Sequence, residues 1–418
     1  MIGMNFADRR LFCMKICERI DALRREMERE GMDIYIVPTA DYHHSEYVGE
    51  YFKVRQFLTG FTGSAGTAVV TKDKAGLWTD GRYFIQADRQ LMGSGIELYR
   101  MGEPGVDTIV EFVRKELPRG GVIGFDGRTV GLAEGRKYER IAEENNGSMN
   151  YGHDLGGRIW ENRPEMSKEK AFLLDVRYSG ETAGAKLGRI REKMTEYGAD
   201  VYILSSLDDI AWTLNIRGGD VAYCPLVLSY AVICMDHVDL YADSGKFSEE
   251  IMSSFAENDI CVYPYEQIYE NVKNIEDDAA ILIDPERTSY TLYKNLPEHA
   301  TVIEAQNPSV LMKSAKNDTE AENIRKAHLK DGIAHTRFMY WVKKNIGKIP
   351  MTEISASDKL EEFRSEQEGY LGASFAPISA FADHGAVIHY SATEESNAEL
   401  REGKLFLTDT GGHYWEGS

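Results

Sequence analysis

Residues 33–37 read Asp-Ile-Tyr-Ile-Val, and residues 200–204 read Asp-Val-Tyr-Ile-Leu, at an offset of 167 positions (33 to 200). Each apolar run is typical of a buried β-strand, and each follows apolar residues at helical spacing. A glycine, Gly31 or Gly198, stands just before each run, where a helix commonly ends in the left-handed conformation. The two stretches therefore predict two copies of one helix-to-strand unit.

The likeness extends beyond the two strands. The same offset relates further identical pairs, namely Arg24 and Arg191, Met27 and Met194, and Asp41 and Asp208. A chance likeness between two helix-to-strand joints is the alternative, because such joints are common. Two copies of one unit is the simpler interpretation, and it predicts an α/β (α+β) fold built on a tandem repeat.

Two polar stretches that contain proline divide the chain, at residues 161–186 and 306–322. Segments of this composition commonly link domains. The length of 418 residues also suggests three domains at about 150 residues each. We therefore predict domains over residues 1–160, 161–311 and 312–418, the last of which is shorter than an ordinary domain.

The charge balance and the amino terminus limit the possible partners. The chain has 48 Lys and Arg against 68 Asp and Glu, a formal net charge of −20, which disfavours nucleic acid and anionic membranes as partners. Charged residues within positions 1–12 interrupt the apolar core that a signal peptide needs. No uncharged apolar run approaches the length of about 20 residues that spans a bilayer. We expect a cytoplasmic protein with no nucleic-acid or membrane partner.

Several segments invite a functional interpretation but have a simpler structural one. Residues 60–68 are rich in glycine, yet no lysine follows and the dinucleotide spacing is absent, so a bulge or tight turn is favoured over a phosphate loop. His43 and His44 lack the HExxH spacing of a catalytic zinc site. Three polar residues share one helix face at a spacing compatible with metal, but a solvated or capped polar face is favoured as their explanation: His328, Asp331 and His335.

Three other positions combine a polar side chain with a strand or turn. Arg82 follows the Asp80-Gly81 turn signal, where it is either a surface charge or a ligand-binding group. Asp409 ends an apolar strand at a glycine turn, where a carboxylate can meet a hard cation or simply form the turn. His389 is either a satisfied strand histidine or a catalytic one. The residues alone leave these alternatives open.

Six ordered motifs extend the pattern across the chain: FLTGFTGSAGTA (57–68), WTDGRYF (78–84), DDIAWTLNIRGGDV (208–221), TEISA (352–356), GAVIHY (385–390) and LTDTGGHY (407–414). By these motifs the chain, from about residue 33 to 418, resembles the aminopeptidase P family, in its long three-domain cytosolic branch. The resemblance implies two creatinase-type amino-terminal α/β domains followed by a pita-bread catalytic domain.

The resemblance also implies roles for the three open positions. Asp409 matches the first of five metal ligands, two Asp, one His and two Glu, that bind two divalent ions, usually Mn²⁺. His389 matches a histidine that contacts the substrate and takes part in catalysis, and Arg82 matches an arginine linked to substrate binding. The second Asp is expected at position 420 and the other ligands later. We therefore expect the sequence to end within the catalytic domain and residues 1–418 alone to be inactive.

The function that the resemblance implies is a metallo-aminopeptidase that releases the first residue of peptides with proline in second place. It also implies a homodimer formed mainly through the third domain. Two alternatives stay open: a metal-free pita-bread module that binds peptides or proteins, and a prolidase or creatinase-type hydrolase. The presence of both Asp409 and His389 argues against the first, and the second amino-terminal domain argues against the other.

Overall fold

A computed structural model describes residues 15–418, which form two compact units. The first comprises residues 15–166 with 285–294, and the second comprises residues 167–284 with 295–418. The expectation that a signal peptide is missing rests on charged residues within positions 1–12. These residues lie outside the described part. The domain division after residues 160 and 311 stays a prediction. Among residues 15–418, no helix is both long and apolar enough to cross a membrane.

The helices, in chain order, are α1 Ile16–Arg29, α2 Val54–Thr59, α3 Phe84–Gln90, α4 Ile109–Glu116, α5 Leu132–Glu144, α6 Leu155–Arg158, α7 Val176–Ser179, α8 Ala183–Tyr197, α9 Leu207–Thr213, α10 Glu249–Ala256, α11 Ile268–Asn271, α12 Tyr290–Lys294, α13 Pro308–Ser314, α14 Asp318–Asn345 and α15 Glu353–Ser365.

The strands are β1 Ile34–Pro38, β2 Thr67–Thr71, β3 Ala75–Thr79, β4 Glu97–Arg100, β5 Val122–Phe125, β6 Ser148–Asn150, β7 Ala171–Leu173, β8 Val201–Leu204, β9 Ile216–Gly218, β10 Ser229–Cys234, β11 Val238–Ala242, β12 Ile260–Tyr263, β13 Ala280–Ile283, β14 Thr301–Glu304, β15 Tyr370–Ala373, β16 Ile378–Phe381, β17 Phe406–Asp409 and β18 Gly412–Tyr414.

The first unit contains a six-stranded sheet in the order β4-β3-β2-β1-β5-β6. Strand β1 is central, antiparallel to β2 and parallel to β5, and its apolar run is buried as the sequence predicts. The helix α1 packs its apolar face, Ile20, Leu23 and Met27, into the same core. Gly31 follows this helix with φ +69°, a conformation that costs glycine little.

The second unit repeats this sheet in the order β12-β11-β10-β8-β13-β14. Strand β8 takes the place of β1, antiparallel to β10 and parallel to β13. The predicted tandem repeat is therefore confirmed as a shared strand order and direction. The predicted α/β class follows, because each sheet mixes parallel and antiparallel pairs and packs against helices.

Side chains related by the repeat make equivalent contacts. Arg24 Nε donates to the last carbonyl of β2 at 3.0 Å, and Arg191 Nε donates to the last carbonyl of β10 at 2.9 Å. Asp33 accepts a hydrogen bond from the first amide of β5 at 2.8 Å, and Asp200 accepts one from the first amide of β13 at 2.9 Å. The identical residues at the offset of 167 positions thus make the same contacts in both units: the arginine links a helix to the end of one strand, and the aspartate binds the start of another.

The glycine-rich segment 60–68 forms a turn around a buried cation. Arg55, only 3% exposed, donates to the carbonyl oxygens of Phe61 and Gly63, and its Nε donates to Thr39 Oγ1 at 2.9 Å. Burial lowers the pKa of Arg55 to about 10. A phosphate loop needs amide groups that converge on an anion, whereas carbonyls converge on a cation here, so the structural interpretation of this segment is confirmed.

Residues 318–418 of the second unit contain α14 and α15, which pack against each other. Ala334 and Phe338 of α14 contact Leu360 and Phe363 of α15 in one apolar cluster that also contains Phe381. Thr352 caps α15 with a hydrogen bond from Ser355 N to its Oγ1 at 3.2 Å, so the TEISA motif (352–356) is a helix start. The pairs β16–β17 and β15–β18 lie in this region.

Candidate active site

Asp409 is the last residue of β17 and is exposed. In the antiparallel pair β16–β17 it lies opposite Ile378. The turn that follows is closely packed, since a Cβ on Gly411 would lie 2.2 Å from Ser374 Oγ and 3.0 Å from the Phe375 ring. The apolar strand therefore delivers the Asp409 carboxylate to a turn that accepts only glycine without rearrangement.

An ion pair holds the residue after Asp409. Arg364, near the end of α15 and 1% exposed, binds both carboxylate oxygens of Asp331, at 2.8 and 3.3 Å. Its Nη2 also donates to Thr410 Oγ1 at 3.0 Å, and the hydroxyl of Tyr414 donates to Asp331 at 3.2 Å. The turn beyond β17 is thus fixed to α14 and α15 by a charged network.

His389 lies in the connection between β16 and β17 and is exposed. Its backbone has φ +55°, a left-handed conformation that costs a residue other than glycine about 1–3 kcal/mol. The next residue, Tyr390, is buried, and its hydroxyl donates to Glu353 Oε2 at 2.9 Å. One hairpin therefore carries both predicted groups, His389 in its connection and Asp409 at the end of its second strand.

Glu353, on α15, is 0% exposed, and its carboxylate accepts hydrogen bonds from the connection between β16 and β17. Burial by itself raises the pKa of its carboxyl, but hydrogen bonds from Ala398 N, Phe381 N, the His384 ring and the Tyr390 hydroxyl together bring that pKa below its usual value. The carboxylate is therefore ionised at neutral pH with four donors around it. Glu353 is not among the predicted site residues, although it lies in the TEISA motif.

Arg82 belongs to the first compact unit and follows the predicted turn. Its Nε and Nη2 bind the two carboxylate oxygens of Asp80 at 2.8 and 2.7 Å. This hydrogen bonding raises the pKa of Arg82, which stays charged. The side chain of Arg82 is 41% exposed. Asp80 therefore orients the guanidinium while leaving one edge of it accessible.

The remaining histidine candidates have structural explanations. Asp331 of the helix-face trio binds Arg364, while His328 is exposed and His335 lies beside the Phe338 ring at 6.2 Å. His43 is buried and His44 is half-buried, and desolvation lowers the pKa of His44 to about 4. In the described part of the chain, no three His, Cys, Asp or Glu side chains converge as a metal site.

Comparisons with protein families match almost the whole described chain. Residues 19–152 and 162–320 each match a Creatinase/Prolidase N-terminal domain, which agrees with the repeated sheet. Residues 322–417 match metallopeptidase family M24.

Individual relatives agree. The chain is 34% identical to Aminopeptidase P2 of Arabidopsis thaliana over 96% of this chain and 61% of that protein. It is 34% identical to a probable Xaa-Pro aminopeptidase P of Sordaria macrospora over 96% of this chain and 67% of that protein. The chain belongs to the Xaa-Pro aminopeptidase P family. The resemblance drawn from the six motifs is therefore confirmed.

A solved member of the Xaa-Pro aminopeptidase P family has the same fold. The crystal structure of X-prolyl aminopeptidase from Caenorhabditis elegans, described as a cytosolic enzyme with a di-nuclear active site, superposes with a TM-score of 0.92 at 33% identity. The match covers 97% of this chain and 68% of that one. This chain thus spans about three-fifths to two-thirds of the length of its family relatives.

Proposed function

We propose that this chain is part of a metallo-aminopeptidase that releases the first residue of peptides with proline in second place. Asp409 would bind one of two divalent ions, Mn²⁺ being our choice, and His389 and Arg82 would bind the substrate. The observation that carries the proposal is the β16–β17 hairpin, where an exposed carboxylate and an exposed imidazole are each followed by a residue that hydrogen-bonds to a buried charged side chain, Thr410 to Arg364 and Tyr390 to Glu353. Family membership supports it.

Asp409 suits a hard cation. Its oxygens are exposed at the end of a paired strand, and carboxylates prefer Mg²⁺, Ca²⁺ or Mn²⁺ over softer metals. Two bound ions would lower the pKa of a bridging water and stabilise the charge that develops on the scissile amide. The family resemblance puts the other four ligands after residue 418, so a functional test needs a chain that includes that part.

The substrate imposes two requirements. The Xaa-Pro amide has no N–H, so recognition of the proline ring depends on shape and apolar contact. The peptide carbonyls, in contrast, need donors. His389 can donate from its ring, and Arg82 can donate from Nη1 while Asp80 holds the rest of the guanidinium. We propose for each of these side chains, as the family resemblance implies, a hydrogen bond to the peptide.

We also propose a cytoplasmic homodimer assembled mainly through the third domain. The C. elegans relative, described as a cytosolic enzyme, supports the location. Because the predicted third domain covers only residues 312–418 here, the assembly is best measured on the full-length protein.

The test is hydrolysis by the full-length protein. With Mn²⁺, Ala-Pro-Ala should lose its first residue while Ala-Ala-Ala does not. Asp409→Asn should reduce the rate by about a thousandfold or more, since one metal ligand supplies several kcal/mol of stabilisation. Asp358→Asn is the matched control, because Asp358 is an exposed carboxylate on α15, and its rate should stay at the wild-type level.

The other outcomes distinguish the alternatives. A full-length protein that binds Xaa-Pro peptides but cleaves none of them is the metal-free binding module, and the proposal is then wrong. Cleavage of the dipeptide Ala-Pro without cleavage of Ala-Pro-Ala indicates a prolidase. Near-normal turnover by Asp409→Asn removes Asp409 from the metal site.

A further inference from the structure

Glu353 is the first residue of α15 and has no place in the proposed reaction, yet its carboxylate is completely buried. Its Oε1 accepts hydrogen bonds from Phe381 N at 2.6 Å and His384 Nδ1 at 2.8 Å. Its Oε2 accepts hydrogen bonds from the Tyr390 hydroxyl at 2.9 Å and Ala398 N at 3.0 Å. A buried charge is unfavourable unless donors surround it, so this arrangement requires all four partners to be in place.

The four donors belong to one segment, residues 381–398, which has little regular structure. A single 3₁₀ turn, Ala382–Ala386, is its only helix, and it contains no strand beyond Phe381. The donors come from the start, the interior and the end of this segment. The backbone of Glu353 adds two bonds, from its N to Ala398 O at 3.0 Å and to its O from Ser379 Oγ at 2.7 Å. Glu353 therefore binds the start, the interior and the end of segment 381–398.

His389 is exposed and lies within the segment that Glu353 binds. Its left-handed backbone, with φ +55°, needs surroundings that impose it. Tyr390, the next residue, is bound to Glu353 and to Ser396 Oγ, the latter at 3.0 Å. The rings of His384 and Tyr390 stack with centroids 4.6 Å apart, so two of the four donors also hold each other. The Glu353 carboxylate thus fixes the residue that follows His389.

We propose that Glu353 is a positioning residue that holds His389 in its working orientation through Tyr390 and His384. This inference rests on the proposed function, because it requires His389 to act on the peptide. A misplacement of about 1 Å in a group that binds the reacting bond can cost about a hundredfold in rate. Glu353 itself touches no substrate, since both of its oxygens are occupied and buried.

The experiment combines two substitutions in the full-length protein. Glu353→Gln keeps the shape of the side chain but replaces one carboxylate oxygen, which accepts two hydrogen bonds, by an NH₂ group that can only donate. It should lower kcat for Ala-Pro-Ala by about a hundredfold while KM changes by less than about threefold. If Glu353 acts through His389, the double variant Glu353→Gln/His389→Ala should be no slower than His389→Ala alone. Glu362→Gln, an exposed acid on the same helix, is the control and should keep the wild-type rate.

A second readout does not depend on activity. Amide exchange of peptides that cover residues 382–398 should accelerate in Glu353→Gln and stay unchanged in Glu362→Gln. Tyr390→Phe removes one of the four donors and gives a folded variant if Glu353→Gln proves unstable, with a smaller loss of kcat expected. Losses that multiply in the double variant, or unchanged exchange in Glu353→Gln, overturn the positioning role. An inactive wild-type protein overturns instead the proposed function.

Discussion

Replacing Arg364 by methionine should loosen the turn that follows Asp409 and leave the rest of the fold in place. The methionine side chain is apolar and unbranched, ends two atoms earlier than that of arginine, and donates no hydrogen bond. The substitution removes two hydrogen bonds to Asp331 and one to Thr410. It therefore isolates what the charged network contributes.

The exposure of the partners sets the expected size of the effect. Removing one member of a fully buried ion pair costs about 3–5 kcal/mol, because the other charge stays buried. The side chain of Asp331 is 28% exposed and keeps the hydrogen bond from Tyr414, so water and this hydroxyl compensate part of the loss. We expect a local destabilisation of about 2–3 kcal/mol.

Hydrogen exchange measures this local effect directly. At about 1.4 kcal/mol for each factor of ten, peptides that cover residues 406–414 should exchange about 30 to 150 times faster, whereas peptides from β2 and β3 should not change. Arg337→Met is the control. Arg337 pairs with Glu366 at the surface, with side chains 42% and 46% exposed, and should change exchange by less than about fivefold. Equal effects of Arg364→Met and Arg337→Met would refute the reasoning.

Three further outcomes follow from buried groups. Lys246→Met should destabilise the second unit by about 3–5 kcal/mol in urea denaturation, because it leaves the Asp220 carboxylate, 0% exposed, without its cation; a loss below about 1 kcal/mol contradicts this. Gly411→Ala should cost about 1–3 kcal/mol in thermal unfolding, and Ser374→Ala in the same chain should recover part of it, since the new Cβ meets Ser374 Oγ. The pKa of Glu353 is lower in the folded protein than its value near 4.5 in the unfolded chain, so the ionised carboxylate stabilises the fold fully above pH 4.5 and loses this effect as the pH falls through the folded pKa. The difference in free energy of unfolding between wild type and Glu353→Gln should therefore shrink on acidification. A constant difference from pH 6 to 3 contradicts this expectation.

Much of the fold could be predicted from the repeat, because buried central strands carry a continuous apolar run and the helix before them ends at glycine. The sequence does not reveal that residues 285–294 join the first unit. Their Tyr290 is completely buried, with its ring 5.8 Å from Phe125 and 5.0 Å from Tyr151. A tyrosine in a short polar segment carries no sign of its partner, which tertiary packing alone decides.

The site was predictable only where a motif or a strand end marks the residue. Asp409, His389 and Arg82 lie in such motifs, and their assigned roles stay predictions. Glu353 and Arg364 were missed because charged residues on a helix are normally solvated. Their burial depends on segments that follow along the chain, residues 381–398 for Glu353 and Thr410 for Arg364.

The helix α15 carries Glu353 as its first residue and Arg364 as its last but one. Eleven residues of α-helix at about 1.5 Å each separate the two by about 16 Å. A rigid rod of this length makes the two supports mechanically dependent, because a tilt of the rod about its centre displaces both of its ends. Substitutions that pack under α15 should then be tolerated in evolution only in compensating pairs, and any redesign of this region should transplant the helix whole, with both of its contacts.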